Sequence, residues 1–171
     1  MATTPVKLDS SKDIYTGELF VFIGESPIAF ASTANLEVST DKIDISNKMF
    51  GRWSGALAGK KSFSISSEAL LTRKEGAVSY DALLDKMIAD EVLEFYFGSA
   101  KATDQDNFGG TFTKDTAQKG YSGKVIITSL SLKSDNGQIA SCSVAFDGVG
   151  KLLPVEPVVV PAMENKAVAP K

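Results

Sequence analysis

Two stretches of the chain place residue types at spacings that phosphate and metal chemistry use. Gly55-Ala56-Leu57-Ala58-Gly59-Lys60-Lys61 has the glycines and lysine of a phosphate-cradling loop. That loop needs four residues between its glycines and a Ser or Thr after the lysine. Here three residues intervene and Lys61 follows. Asp104-Gln105-Asp106-Asn107-Phe108-Gly109 opens like a calcium loop, with Asp115 at the twelfth position. Its fifth position is Phe108 where calcium requires oxygen, and Asp115 replaces the Glu that binds through both oxygens. At most a loose ion site is expected there.

The remaining inventory excludes more than it offers. The 171 residues contain no histidine and one cysteine, Cys142. A structural zinc site needs three or four Cys or His ligands, and a nucleophile of the Ser-His or Cys-His type needs the imidazole. No intramolecular disulfide can form from one thiol. Eighteen basic and 21 acidic residues leave a net charge of −3, which argues against a protein that grips nucleic acid through its phosphates. The carboxylates that cluster, Asp81, Asp85, Asp90, Glu91 and Glu94, read as the outward side of a helix and not as an acid–base pair. No cofactor, metal site or catalytic residue is expected, and an enzyme using carboxylates or lysine finds no pointer in the sequence.

The elements that position these residues are mostly strands. Ile14 to Ile23 is rich in β-formers and stops at Gly24-Glu25-Ser26-Pro27, a turn signal. From Ile28 the apolar residues Ile28, Phe30, Ala34, Leu36 and Val38 share one parity, with Ala31, Thr33, Asn35, Glu37 and Ser39 on the other. Phe63, Ile65, Ser67 and Ala69 repeat the pattern. Val92 to Gly98, Tyr121 to Lys133 and Gln138 to Phe146 read as further strands, the last two joined by Asn136-Gly137, a hairpin signal. Cys142 shares a face with Ala140, Val144 and Phe146, so it reads as a small buried apolar residue. One helix is expected over about 79–90, with Tyr80, Leu83, Leu84, Met87 and Ile88 as its apolar stripe and Ser79 as N-cap.

Residues 40–60 have no sustained period and read as a long loop or an extended hairpin. Met49, Phe50 and Trp53 within it either fold back as a local mini-core or bind a partner; the second is favoured, because aromatics and Arg anchor interfaces. Charge divides in the same way. Residues 40–62 hold Lys42, Lys48, Arg52, Lys60 and Lys61 against Asp41 and Asp44, whereas 75–94 hold six acidic residues against Lys86. Opposite patches on one small chain suit head-to-tail association of copies. Candidate contact residues are Lys42, Lys48, Met49, Phe50, Arg52 and Trp53 on one side, and Asp81, Asp85 and Glu91 on the other.

Asp44-Ile45-Ser46-Asn47-Lys48, then Trp53, then Ala58 to Ser66, and finally the hairpin from Gly123 to Ser131 and Ser141 to Leu152 resemble the major tail tube proteins of long-tailed bacteriophages. The likeness spans about residues 28–152 and ends in the Phe-x-Gly-x-Gly of Phe146 to Gly150. It implies a mainly β fold, a β-sandwich or half-barrel with one flanking α-helix that contributes strands to a hexameric β-barrel ring. Stacked rings would conduct genome DNA during ejection without binding it tightly. The partners implied are copies of the chain and the tape measure, tail terminator and distal tail proteins. Three regions follow: an N-terminal arm over 1–13, a tube domain over 14–150 and a Pro-rich C-terminal arm over 151–171. The alternatives are the inner tube of a contractile tail or secretion system, and a small-ligand-binding β-barrel. Met1 to Asp9 has no apolar run and no segment has a membrane span's length, so a soluble chain made in a cytoplasm, with no membrane partner, is the expectation; the resemblance implies a place in the virion tail.

Overall fold

The alternation over residues 61–71 becomes one half of a 15-residue strand in the computed structural model, which describes residues 7–11, 14, 19–106 and 108–158. In chain order the elements are β1 (Leu19–Ile23), β2 (Ser26–Pro27), β3 (Ala31–Asp44), β4 (Ala56–Leu70), α1 (Tyr80–Ile88), β5 (Leu93–Thr103), β6 (Thr111–Lys114), β7 (Gly120–Lys133) and β8 (Ser141–Val155). They form one antiparallel sheet in the order β2-β1-β5-β7-β8-β4-β3, with β6 paired to the far end of β5. The sheet is not closed. The mainly β class with one helix therefore holds, as a single open sheet and not as two packed ones. Most of the N-terminal arm, the start of the expected first strand and the distal C-terminal arm lie outside the described residues.

Period two puts every second side chain of the central strands on one face. Cross-strand rows show it directly: Leu36, Ile65, Phe146 and Ile127 lie opposite one another, as do Ala34, Ser67, Val144 and Leu130. This face carries the core, with Val21, Phe63, Leu93, Phe95, Val125 and Cys142. α1 lies against β7 and sends Leu83, fully buried, into the same cluster. Burial pushes the Cys142 thiol pKa up, as its packing among Ala69 and Leu132 requires.

Two irregularities move residues from where simple parity places them. A bulge between Ala31 and Thr33 turns Ala31 toward the core, opposite Ala69, although alternation assigned it to the polar side. Phe30, assigned to the core, adopts φ 52° just before the bulge and stands 56% exposed. A second bulge between Ile127 and Ser129 brings Leu130 back onto the core face. Val38 keeps its side but is exposed near the end of the core, and Ile88 leaves the helix stripe for solvent. The helix is shorter than expected; Ser79 occupies its N-cap position without a side-chain bond.

Residues 40–60 take the extended-hairpin form, as the continuation of β3 and β4. The polar stretch after residue 98 also contains structure: β5 runs on to Thr103 and returns as β6. At the other end β8 runs to Val155, past the domain boundary expected at 150. Pro154 is tolerated because, among the described strands, the segment beyond Asp147 pairs only with β7 and is an edge on its other side.

Two glycines make room for the core aromatics. A Cβ on Gly148 would sit 2.4 Å from the Phe63 ring, and one on Gly123 would sit 3.1 Å from that of Phe95. The two rings pack 5.7 Å apart. On the opposite face Phe22 and Tyr96 are buried in a smaller aromatic group with Phe20 and Phe112, which the β5–β6 hairpin completes. Gly148→Ala should therefore destabilise the fold by about 1–3 kcal/mol through overpacking, read as a lowered urea midpoint, whereas Val149→Ala on the exposed parity should change it by less than about 0.5 kcal/mol.

Candidate assembly surface

Beyond Val38 and Phe63 the β3–β4 hairpin leaves the core and continues as an arm. Every residue from Glu37 to Ser54 is exposed. Its ladder stays in register through Ile43 opposite Leu57 and Asp44 opposite Ala56, after one irregularity between Thr40 and Lys42. Ile43 and Leu57 thus form an apolar cross-strand pair that is about half exposed, 51% and 56%.

The tip is a built turn. Ile45 N–H donates to the Gly55 carbonyl (3.1 Å), and Gly55 N–H donates to Ser46 Oγ (3.1 Å). Asn47 Oδ1 accepts from Met49 N–H (2.9 Å) and caps a single 3-10 turn over Lys48–Phe50. The Phe50 ring folds back over Gly55, where a Cβ would come within 2.7 Å. Met49 and Trp53 point the other way, 96% and 85% exposed. Of the two readings for these side chains, Phe50 thus follows the local one, while Met49 and Trp53 are presented outward. Lys48 and Arg52 are exposed beside them. Ser46, through its hydroxyl and then its amide, holds the Asp44 carboxyl below its ordinary pKa; the amide lies 2.7 Å from Oδ1.

The structure brings Lys42, Lys48, Met49, Phe50, Arg52 and Trp53 together on this arm. Asp81 and Asp85 stand exposed on α1, a separate surface. Glu91, just past the helix, is joined to Lys86 of its own chain at 3.1 Å, an exposed pair of small energetic worth. It is thus the least available of the three acidic candidates. Asp106 accepts from the Phe108 and Gly109 amides through Oδ1 (2.8 and 2.9 Å), which engages that one oxygen in shaping its own turn. Among the described residues, no three His, Cys, Asp or Glu groups converge as a metal site.

Two further surfaces escaped residue-by-residue reading. The first is the face of the sheet opposite the core. Its rows run Glu37, Ser64, Asp147 and Ile126; then Asn35, Ser66, Ala145 and Ser129; then Thr33, Glu68, Ser143 and Ser131. Small hydroxyls dominate, and the charges within these rows are acidic. The second is the outer edge of β3, which among the described strands pairs only with β4. Fourteen residues at this edge present about 45 Å of unpaired backbone groups. Neither surface has a motif; both emerge from register.

The sequence profile described as "Phage tail tube protein" matches residues 25–153 of the chain. A search of the curated proteins found no match. Among solved structures, a chain from the virion of a native gene transfer agent particle superposes with TM-score 0.59 at 18% identity, covering 82% of this chain and 98% of that one. The SPP1 tail tube protein superposes with TM-score 0.57 at 10% identity, over 84% of this chain and 79% of that one. A chain of the six-fold symmetrised anti-feeding prophage baseplate gives 0.52 at 9% identity, over 91% and 98%. At these identities the structural likenesses establish the fold.

Two outcomes are expected of the arm. Trp53→Ala and Met49→Ala should each leave monomer stability within about 0.5 kcal/mol of wild type, because the side chains are exposed, while weakening self-association in sedimentation velocity. The Ser46 amide resonance should titrate with a midpoint below the ordinary 3.8 of an Asp. The sign follows from the depressed pKa: the tip bond is present above that value and lost as pH falls through the folded-state pKa. Asp44→Asn should abolish the titration.

Proposed function

We propose how this chain acts on the premise that it belongs to the phage tail tube protein family, which the match over residues 25–153 shows. It is a structural subunit of a tail tube. Copies of it form six-membered rings, in keeping with the C6 symmetry of the tail of an empty gene transfer agent particle, and the rings stack into a conduit for genome DNA. The family match carries this reading.

The geometry supports each part. An unclosed sheet with a long unpaired edge at β3 is completed when a neighbouring copy's strand pairs there, which removes an edge that otherwise invites aggregation. Repeated six times around an axis, the open sheets form a barrel. The hydroxyl-rich face is the one suited to its bore. Its rows of Ser, Thr and Asn with Glu37, Glu68 and Asp147 hold no cation, the lysines of this face, Lys124 and Lys133, lying beyond those rows, and each avoided phosphate contact keeps the duplex free to slide. The arm, with Lys42, Lys48, Met49, Arg52 and Trp53, reaches from one subunit to the next; its positive charge is opposite in sign to Asp81 and Asp85 on α1. The terminal arms extend those contacts, and tape measure, terminator and distal tail proteins meet the tube at its axis and ends. Its place is the virion tail, following assembly in the host cytoplasm. The function requires no catalytic group. The ligand-barrel alternative loses its support, since Phe63, Phe95, Phe146 and Leu83 fill the face where such a ligand would lie.

Purified chain should give rings or tubes of uniform diameter in negative stain and a native mass six times the monomer. A species that stays monomeric at high concentration, with and without tail initiator proteins, would overturn this assignment.

A further inference from the structure

A groove of about 640 Å³ lies where the turn between β5 and β6 faces the segment that leads into α1. Its walls include Phe30, Ala77, Val78, Phe112, Asp104 and Phe108. Two of its aromatics are left to solvent, Phe30 at 56% and Phe108 at 92% exposure. Two outward phenylalanines beside one concavity make an exposed apolar patch of the kind that marks an interaction surface. The backbone holds this shape with some care. Ala29 N–H donates to the Val78 carbonyl (2.9 Å), Asp106 N–H donates to the Gly109 carbonyl (2.8 Å), and both Phe30 and Asp104 adopt positive φ.

We infer that this groove receives the tip of the β3–β4 arm from a second copy, with Met49 and Trp53 seated against Phe30 and Phe108 and with Lys48 and Arg52 beside Asp104 and Asp106. The proposal rests on the tube-subunit reading and names the surface that the arm contacts. Three observations point to the arm as the occupant. The tip pairs outward apolar side chains with two cations, and the groove pairs outward apolar side chains with two carboxylates against one cation, Lys74, so the groove keeps an acidic excess for the cations of the tip. The groove's size suits one Trp and one Met side chain, within the about 300–1,000 Å³ typical of sites that enclose a compact group. Both partners are shaped before they meet, the tip by its Asn47 cap and Ser46 bonds and the groove by its two backbone contacts, so little order is lost on docking. The helix charges find a place in the same scheme. Glu75 and Asp81 flank the Gly76–Val78 wall in sequence, so the acidic segment expected to meet the arm begins at the groove and not at the middle of the helix.

Two measurements on full-length chain test this together. Tubes assembled from equal parts of isotope-labelled and unlabelled wild-type chain are treated with a carbodiimide, which joins lysine to carboxylate without a spacer. Mass spectrometry should find mixed-label links from Lys48 to Asp104 or Asp106. Phe108→Ala, at a fully outward position that leaves the monomer's circular dichroism unchanged, should raise the concentration needed for assembly at least ~10-fold. Tubes that form normally but link Lys48 elsewhere, or an unchanged threshold for Phe108→Ala, overturn the groove assignment and leave the tube reading standing. Wild-type chain that forms no tubes overturns both.

Discussion

The Phe63 ring occupies space that Gly148 leaves open on the neighbouring strand, and Phe95 does the same above Gly123. With these two rings 5.7 Å apart, the sheet has a filled apolar face across β5, β7, β8 and β4 under a single helix. One helix is enough because the rings lie across the sheet instead of standing away from it. The cost of this arrangement is one-sidedness. Most of the apolar material of β4, β7 and β8 is committed to one face; the other carries hydroxyls and charged groups there, and the smaller aromatic group of Phe20, Phe22, Tyr96 and Phe112 at β1, β5 and β6.

That asymmetry decides what the chain can do beyond folding. Among the described strands β3 pairs only with β4, so its outer edge keeps a row of unpaired backbone groups. The arm beyond the core cannot be stabilised by burial within its own chain. It is held instead by ladder bonds and by the Asn47 and Ser46 contacts at the tip, which keep it shaped while Met49 and Trp53 remain uncovered and the Ile43–Leu57 pair half exposed. A monomer built this way is stable at its centre and incomplete at its edges. In the tube arrangement proposed above, copies of itself supply what is missing.

Much of the central fold was legible from alternation. Phe63, Ile65, Ser67 and Ala69 on β4, and Cys142, Val144 and Phe146 on β8, lie where period two places them, because these strands run without a bulge across the core. The helix stripe held through Met87, since i, i+3, i+4 spacing is set by local geometry. Failures fall where one extra residue enters a strand. At Ser32 the bulge exchanges Ala31 and Phe30 between inside and outside, and nothing in the residues 28–34 marks it, because Ala and Ser fit either side of a pleat. The β5–β6 hairpin was missed for a similar reason: its strands are polar, and polarity alone reads as loop.

By itself the sequence excluded histidine-dependent chemistry and an internal disulfide, and it determined the mainly β character, the position of the helix and the charge and apolar content of the arm. These follow from residue type and local spacing, which do not depend on distant partners. Only the tertiary structure decided that the sheet stays open, that the hydroxyl rows of four strands form one face, and that Phe30 and Phe108, 78 positions apart in sequence, border one groove. Such neighbours are created by strand order and register. Register is the outcome of many cross-strand contacts formed at once, so no short stretch of sequence contains it.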